Sequence, residues 1–236
     1  MLNQITSNWM LGVMDSETLD RWDDAVVLSV ATTIADLRQP LTFTQLVNEH
    51  THFMKFDAKE QRVAGRKFNP KIMDEFWKND KKTCEIARRV SLYPDPTREY
   101  KMGDFRDSFL RFCNERGVNA KDMAICDRNL FDLRKMQHII EVTLGEYGSE
   151  PWHYHNIFNI TDVFLAHGFD RYMGINPYEL QKDPMFEGMF IYHDPSNDAA
   201  LDWLRFQKFL VEIGLLEVAG DPKAYHNGLY YSVRGE

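Results

Sequence analysis

Two histidine pairs are the residues of this 236-residue chain whose types and spacing first suggest chemistry. His50-Thr51-His52 and His153-Tyr154-His155 each place imidazoles at i and i+2. On a strand, alternate side chains share a face and such a pair can chelate a metal; on a helix they point about 200° apart and cannot. Helical spacing surrounds the second pair, and the histidines are expected to be half-buried amphipathic side chains, with no metal and no cofactor. Cys84 stands among lysines and arginines, which would lower the pKa of its thiol; packing beside Ile86 is its expected role. No Walker loop, GxGxxG, GxSxG or HExxH occurs. With no catalytic constellation in view, the chain is expected to be non-enzymatic.

The charge pattern points elsewhere. The chain carries a formal net charge of -8, yet residues 55–89 hold eleven Lys/Arg against six acids. A basic island on an acidic protein suggests a surface that meets a polyanion. Within it Lys59, Arg62 and Arg66 fall at i, i+3 and i+7, one face of a helix. Lys55, Lys59, Arg62, Arg66, Lys67 and Lys71 are therefore the candidate nucleic-acid-binding residues. The competing reading is a solvated face whose cations pair with neighbouring acids. Phe56, Phe76 and Trp77 interleave with these cations and could stack on single-stranded bases, but at helical spacing they belong to the core.

Stepping along the chain, Leu19, Trp22, Val26, Val30, Ile34 and Leu37 recur at three- and four-residue steps, which predicts a helix from Ser16 to about Arg38, ended by Pro40. Thr42 and Gln45 form a capping box, with Leu41 and Leu46 as a hydrophobic staple. Asp57 caps a helix running to about Phe68, and Asn69-Pro70 caps another. Long helix, short stapled helix, turn, basic helix resembles a helix-turn-helix unit over residues 16–68. Further helices are predicted over Asp104–Glu115, Asp127–Leu144, and from Ser149 to Gly168. The segment from Gly148 to His155, preceded by Ile140–Leu144, is locally similar to the first motif of the cupins, which would imply a metal. That motif requires a carboxylate ligand a few residues on, and the chain offers only Asp162 at another distance.

Asn176 and Glu179 repeat the capping box, with Pro177 at the first helical position. A helix over Ala199–Ile213 is stopped by Gly214 and followed by two strand-like runs, Leu215–Val218 and Leu229–Val233, joined by turn residues. A helix entering a terminal hairpin resembles the end of a winged-helix module. From Asp198 onward the balance is acidic, which suits a protein partner better than DNA, with Tyr225, His226 and Tyr230 at the exposed wing as candidate protein-interaction residues.

These readings give a mainly α-helical fold with a small C-terminal antiparallel β-hairpin. Breaks at Pro94-Asp95-Pro96 and Gly145–Gly148 divide it into 1–93 (helix-turn-helix-like, with the basic island), 94–148 (central helical) and 149–236 (winged-helix-like). The implied function is a non-enzymatic nucleic-acid-associated regulator; the alternative is an adaptor making only protein contacts. Three widely spaced cysteines and the lack of a signal or membrane-spanning stretch suggest a cytoplasmic protein without membrane partners.

Overall fold

Val27-Leu28-Ser29-Val30-Ala31-Thr32-Thr33-Ile34 is a run of small and β-branched residues, and such runs form strands that are buried on both faces. In the computed structural model, which describes residue 5 and residues 7–146, 148–183 and 189–218, this run is the heart of a sheet. Strand β2 (Val27–Asp36) is buried along nearly its whole length. It pairs antiparallel with β1 (Met10–Thr18) and with β3 (Thr51–Phe56). The short strands β4 (Glu99–Tyr100), β5 (Ala124–Asp127) and β6 (Ile157–Asn159) complete a six-stranded mixed sheet in the order β4-β3-β2-β1-β5-β6. β5 runs parallel to β1, and β6 parallel to β5. The sheet takes strands from all three ranges 1–93, 94–148 and 149–236.

The expected helix over 16–38 is therefore two strands and a turn, and the fold is α/β, not mainly α-helical. Its supposed apolar stripe is scattered. Val30 and Ile34 lie in one core, Leu37 in the other, Leu19 and Val26 in a third small cluster, and Trp22 is 69% exposed. A fully buried strand carries no period-2 alternation, so chance three- and four-residue spacing within it imitates a helix. The predicted helix from Ser149 to Gly168 likewise divides into a 3₁₀ turn, β6 and a helix that begins only at Ile160.

Local capping was more legible than element type. Helix α1 (Phe43–Glu49) starts with the Thr42–Gln45 capping box. Asp57 caps α2 (Ala58–Val63) through the amides of Lys59 and Glu60, though this helix ends well short of Phe68. Asn69 caps α3 (Pro70–Ile72), which continues as a π-helical turn, Met73–Trp77. A second such pair follows in α4 (Glu85–Ala87) and Arg88–Leu92. The remaining helices are α5 (Phe105–Glu115), α6 (Phe131–Leu144), α7 (Ile160–Ala166), α8 (Pro177–Lys182) and α9 (Pro195–Glu212). With β3 between α1 and α2, the region 16–68 is not a helix-turn-helix. After α9 the residues Leu215–Val218 form no strand. The second strand of the expected hairpin lies outside the described residues, as do Tyr225, His226 and Tyr230.

Alternation along the strands assigns the helices to two layers. Leu11 and Val13 of β1, Ala35 of β2 and Ala124 and Cys126 of β5 face a core shared with α1, α7, α8 and α9. Met14, Val30, Ile34 and Ile125 face the other core, shared with α5 and α6. Asp15 and Glu17 have the parity of Leu11 and Val13, so β1 delivers both carboxylates to the side covered by α9.

The island helix α2 is tied to this frame by one buried amide. Gln61 donates to the Val27 carbonyl (2.6 Å) and accepts from the Val27 amide (2.9 Å), standing in for a strand partner at the start of β2. Gln61→Leu should orphan both groups and cost about 2–4 kcal/mol, measured by urea unfolding. A loss below about 0.5 kcal/mol would mean that water or a shifted strand satisfies them.

Candidate active site

β1 ends where Asp15 and Glu17 leave the apolar core, and three other elements converge there. α6 carries Asp132 in its first turn, whose Oδ1 accepts from the Ser16 amide (3.1 Å) and from the Ser16 hydroxyl. The chain reaches this position through Asn129 and Leu130, both left-handed (φ +65° and +55°), a conformation that costs a leucine about 1–3 kcal/mol. Asp127, the last residue of β5, holds the turn in place. Its Oδ2 accepts from the amides of Asp132 (2.6 Å) and Leu133 (2.7 Å), capping α6 from five residues away. The expectation that Asp127 begins the helix itself is thus displaced by four residues.

The third contribution comes from α9 and the residue just before its cap. Asp194 caps the helix through the Ser196 amide (3.0 Å), and Asp198 and Asp202 follow one turn apart on the face toward β1. His193 is left-handed (φ +69°). Its amide donates to Asp198 Oδ2 (2.8 Å), and its Nδ1 lies 3.2 Å from Glu17 Oε1. The imidazole is stacked on Tyr192 and meets Phe76 edge-on, with ring centroids 3.9 and 4.7 Å away. Its Nε2 is buried with no hydrogen-bond partner among the described residues. Asp15, Glu17, Asp132, His193 and Asp198 all line one cleft of about 370 Å³.

So many carboxylates in one corner raise one another's pKa. Burial pushes the Asp15 carboxyl well above its ordinary value, and Asp132, Asp198, Glu17 and Asp202 add to the effect. Asp132 is raised by burial and by Asp127. Asp198 is pushed up to about 8, by burial first and also by Glu17, with His193 opposing. Asp202 differs: burial would raise it, but Arg128 and Arg205 overcome this and hold it below the usual carboxylate range. Arg128 meets both Asp202 oxygens, with Nε at 2.6 Å. His193 is raised because Glu17 outweighs its burial.

This donor set fits a divalent cation. Glu17, His193 and Asp198 offer ligand atoms within 4.8 Å of one another, and the Asp15 carboxylate adds a further oxygen with no hydrogen-bond donor among the described residues. Hard oxygen ligands in that number suit Mg²⁺ or Mn²⁺. The histidines singled out in the sequence lie elsewhere. His52 does stand on a strand, but it bonds Ser108 Oγ (2.8 Å), and burial with Arg116 and Arg111 pushes its pKa down to about 4. His153 and His155 stack on each other in a 3₁₀ turn.

The island residues divide. Lys55 is buried, its Nζ donating to the carbonyls of Arg89 and Val90. Arg66 is also buried, bonded to the carbonyls of Asp23 and Ala25 and to His138. Lys67 pairs with Asp24 (2.6 Å), and Arg62 lies over the Phe68 ring. Lys59, Arg62, Lys67 and Lys71 are exposed. Lys71 directly precedes Ile72, and Ile72 and Phe76 form part of the cleft wall; the island borders the acidic site.

No protein-family model matches the sequence, and no curated protein matches it significantly. Solved structures do match in fold. Cell-death related nuclease 4 superposes with a TM-score of 0.50 at 13% identity, over 87% of this chain and 64% of its own. Product-bound exonuclease I gives 0.51 at 13% identity, over 85% and 43%. Pop2p of S. pombe, in a Mg²⁺- and Mn²⁺-bound form, gives 0.53 at 9% identity, over 91% and 87%. The chain thus spans less than two thirds of the first two proteins. The likeness shows an α/β fold shared with these three structures. Together with the acidic cleft, it overturns the expectation of a non-enzymatic, winged-helix regulator.

A pH effect follows. Groups with a raised folded pKa, Asp198 among them, stabilise the cation-free protein at low pH, and that stability is lost as pH rises through about 8. His52, depressed from 6.5 to about 4, and Lys135, depressed to about 8, act in the opposite sense only below about 6.5 and above about 8. Between about pH 6.5 and 8 in EDTA, the thermal midpoint should therefore fall. Asp198→Asn should flatten the slope and raise the midpoint at pH 8, by about 2–4 °C per kcal/mol of relieved repulsion. Differential scanning fluorimetry decides it, and a midpoint rising with pH would refute the charge assignment.

Proposed function

We propose that the protein is a divalent-cation-dependent nuclease that removes nucleotides from the end of a nucleic acid strand. The observation that carries this reading is the convergence of Asp15, Glu17, Asp132, Asp198 and His193 on one cleft of nucleotide size. The shared fold with an exonuclease, a cell-death related nuclease and Pop2p supports it.

Asp15, Glu17, Asp132 and Asp198 would hold Mg²⁺ or Mn²⁺ without a ligand from His193, and the cation would supply charge neutralisation at the phosphate and a more acidic water. The chain's own contribution to the chemistry centres on His193. With Nδ1 directed at Glu17, the ring presents Nε2 as its basic nitrogen. Nε2 takes a proton from water as the water oxygen bonds to phosphorus and the bond from phosphorus to the leaving sugar oxygen breaks. Glu17 raises the basicity of the ring and fixes its orientation. Phe76 and Tyr192 pack against the imidazole and limit its rotation.

Substrate would approach across the basic island. Lys59, Arg62, Lys67 and Lys71 are the exposed members of the set expected to bind nucleic acid, and they are proposed to contact backbone phosphates outside the cleft. Lys55 and Arg66 would act indirectly by holding backbone. No helix of the described residues is long and apolar enough to cross a membrane, and the free thiols of Cys84, Cys113 and Cys126 suit a reducing, intracellular setting.

The test is incubation with end-labelled single- and double-stranded DNA and RNA in Mg²⁺, Mn²⁺ or EDTA. Mononucleotide release with either cation and none in EDTA is expected. His193→Ala should lower kcat by about 10²–10⁴-fold while keeping cation-induced thermal stabilisation, and Asp15→Asn should lose both. Absence of cleavage on all four substrates, with no thermal shift on adding Mg²⁺ or Mn²⁺, would overturn the reading.

A further inference from the structure

Two loops that border the cleft are each held by cations donating to alternate backbone carbonyls. In the loop after β1, Lys135 Nζ donates to the Arg21 carbonyl (3.1 Å), and Arg66 donates to those of Asp23 (3.3 Å) and Ala25 (2.9 Å). In the loop between α7 and α8, Arg128 donates to the carbonyl of Arg171 (3.1 Å), Lys208 to that of Met173 (2.8 Å), and Arg205 to that of Ile175. Lys135, Arg66 and Arg205 are buried. Desolvating a cation is costly, so fixing two loop backbones in this way implies that their placement matters.

Each loop delivers one arginine to the cleft. Arg21 and Arg171 are exposed, line the cleft, and make no ion pair among the described residues despite the acids nearby. The Arg171 guanidinium lies 5.1 Å from the Tyr172 ring centre, and Arg128 and Arg205 lie 5.1 and 5.2 Å from the same ring. Behind them Asp202 binds Arg128 and Arg205 together. Arg205 Nε, buried in this corner, has no partner among the described residues.

We propose that Arg21 and Arg171 bind phosphates of the substrate strand next to the bond being cut, and that Asp202 is a positioning residue. It acts through Arg128 and Arg205 to hold the Arg171 loop and does not hold a cation. This inference rests on the nuclease reading. Carboxylates repel an incoming polyanion, so affinity has to come from cations at the edge of the cleft. Contacts to phosphates that do not react bind substrate and transition state alike, and so set KM and leave kcat alone.

The test is steady-state cleavage of a labelled single-stranded oligonucleotide in Mg²⁺, alongside thermal shift with Mg²⁺ alone. Arg21→Ala and Arg171→Ala should each raise KM about tenfold, keep kcat within about twofold, and reduce the slope of log KM against log[salt] by about 0.7. Arg171→Lys should recover part of the loss. Asp202→Asn should raise KM similarly, be non-additive with Arg171→Ala, and retain the full Mg²⁺ shift; if it does not fold, Arg128→Lys serves in its place. Loss of kcat and of the Mg²⁺ shift in Asp202→Asn would make Asp202 a cation ligand and overturn the positioning role. An unchanged KM and salt slope in both arginine variants would overturn the phosphate contacts. Should the wild-type protein cleave nothing, the nuclease reading fails by itself. Fluorescence anisotropy of the same oligonucleotide in Ca²⁺ then still decides whether Arg21 and Arg171 bind phosphate, since their removal must weaken binding for that part to stand.

Discussion

The structure depends on holding several carboxylates in one buried corner against their mutual repulsion. Two negative charges about 5 Å apart repel by roughly 3 kcal/mol at an effective dielectric of about 20, and four acids, Asp132, Asp198, Glu17 and Asp202, add to the effect of burial on Asp15. Nothing in a relaxed chain would bring them together. The sheet and α9 do so because the faces that carry them are bound to an apolar core on the same sides. Leu11 and Val13 fix which way Asp15 and Glu17 point, and Leu201, Leu204 and Phe206 seat α9 in that core. Hydrophobic burial thus opposes the electrostatic repulsion, and the carboxyl pKa values are raised by desolvation first and by that repulsion second. Any divalent cation bound among these carboxylates would relieve that repulsion and stabilise the fold.

Two kinds of local conformation carry the remaining constraint. Leu130 and His193 both adopt left-handed backbone, unfavourable for side chains of their size. Each is compensated by a carboxylate that accepts backbone amides: Asp127 from Asp132 and Leu133, Asp198 from His193. Asp198 therefore both orients His193 and faces the cleft, so its position couples the proposed base to the proposed cation site. Asp202, one turn further along α9, shares the corner but not the role, because two arginines neutralise it. Adjacent acids on one helix face are separated in function by their partners.

Caps and turns were legible in the sequence, and the sheet was not. Thr42, Asp57, Asn69 and Asn176 act through bonds to residues two or three positions away, so their effect is readable locally. The central strands offered no alternation, since both their faces are buried, and β2 passed for a helix. That single misassignment concealed the site. With residues 16–38 read as helical, Asp15 falls just outside the helix; read as a strand, Asp15-Ser16-Glu17 puts two carboxylates on one face after the apolar run Met10–Met14. The Asp198–Asp202 pair stood on or beside a helix that was correctly expected, one turn apart, and was the second available signal. Asp132 and His193 could not be inferred locally, because only the sheet topology brings residues more than a hundred positions apart to the end of β1. Charge counting found the basic island but not its division into exposed and buried members.

That division bears on how tightly a polyanion could be held. Of the eleven island cations, Lys55 and Arg66 are buried on backbone carbonyls, Arg88 and Arg89 pair with Asp80 or Glu85, Lys78 with Asp74 and Lys67 with Asp24. The other five of the eleven, Lys59, Arg62, Lys71, Lys81 and Lys82, remain without an ion pair among the described residues. For a regulator that must stay bound, this would be a weakness. For an enzyme that must release product and engage the next bond, strong uniform binding gains nothing once substrate saturates the site. On the proposed nuclease reading, sparse exposed cations beside a concentrated acidic centre would divide the labour in that sense: the island and the edges of the cleft would capture substrate weakly, and the affinity that matters would be reserved for the charge that develops at the carboxylates and His193.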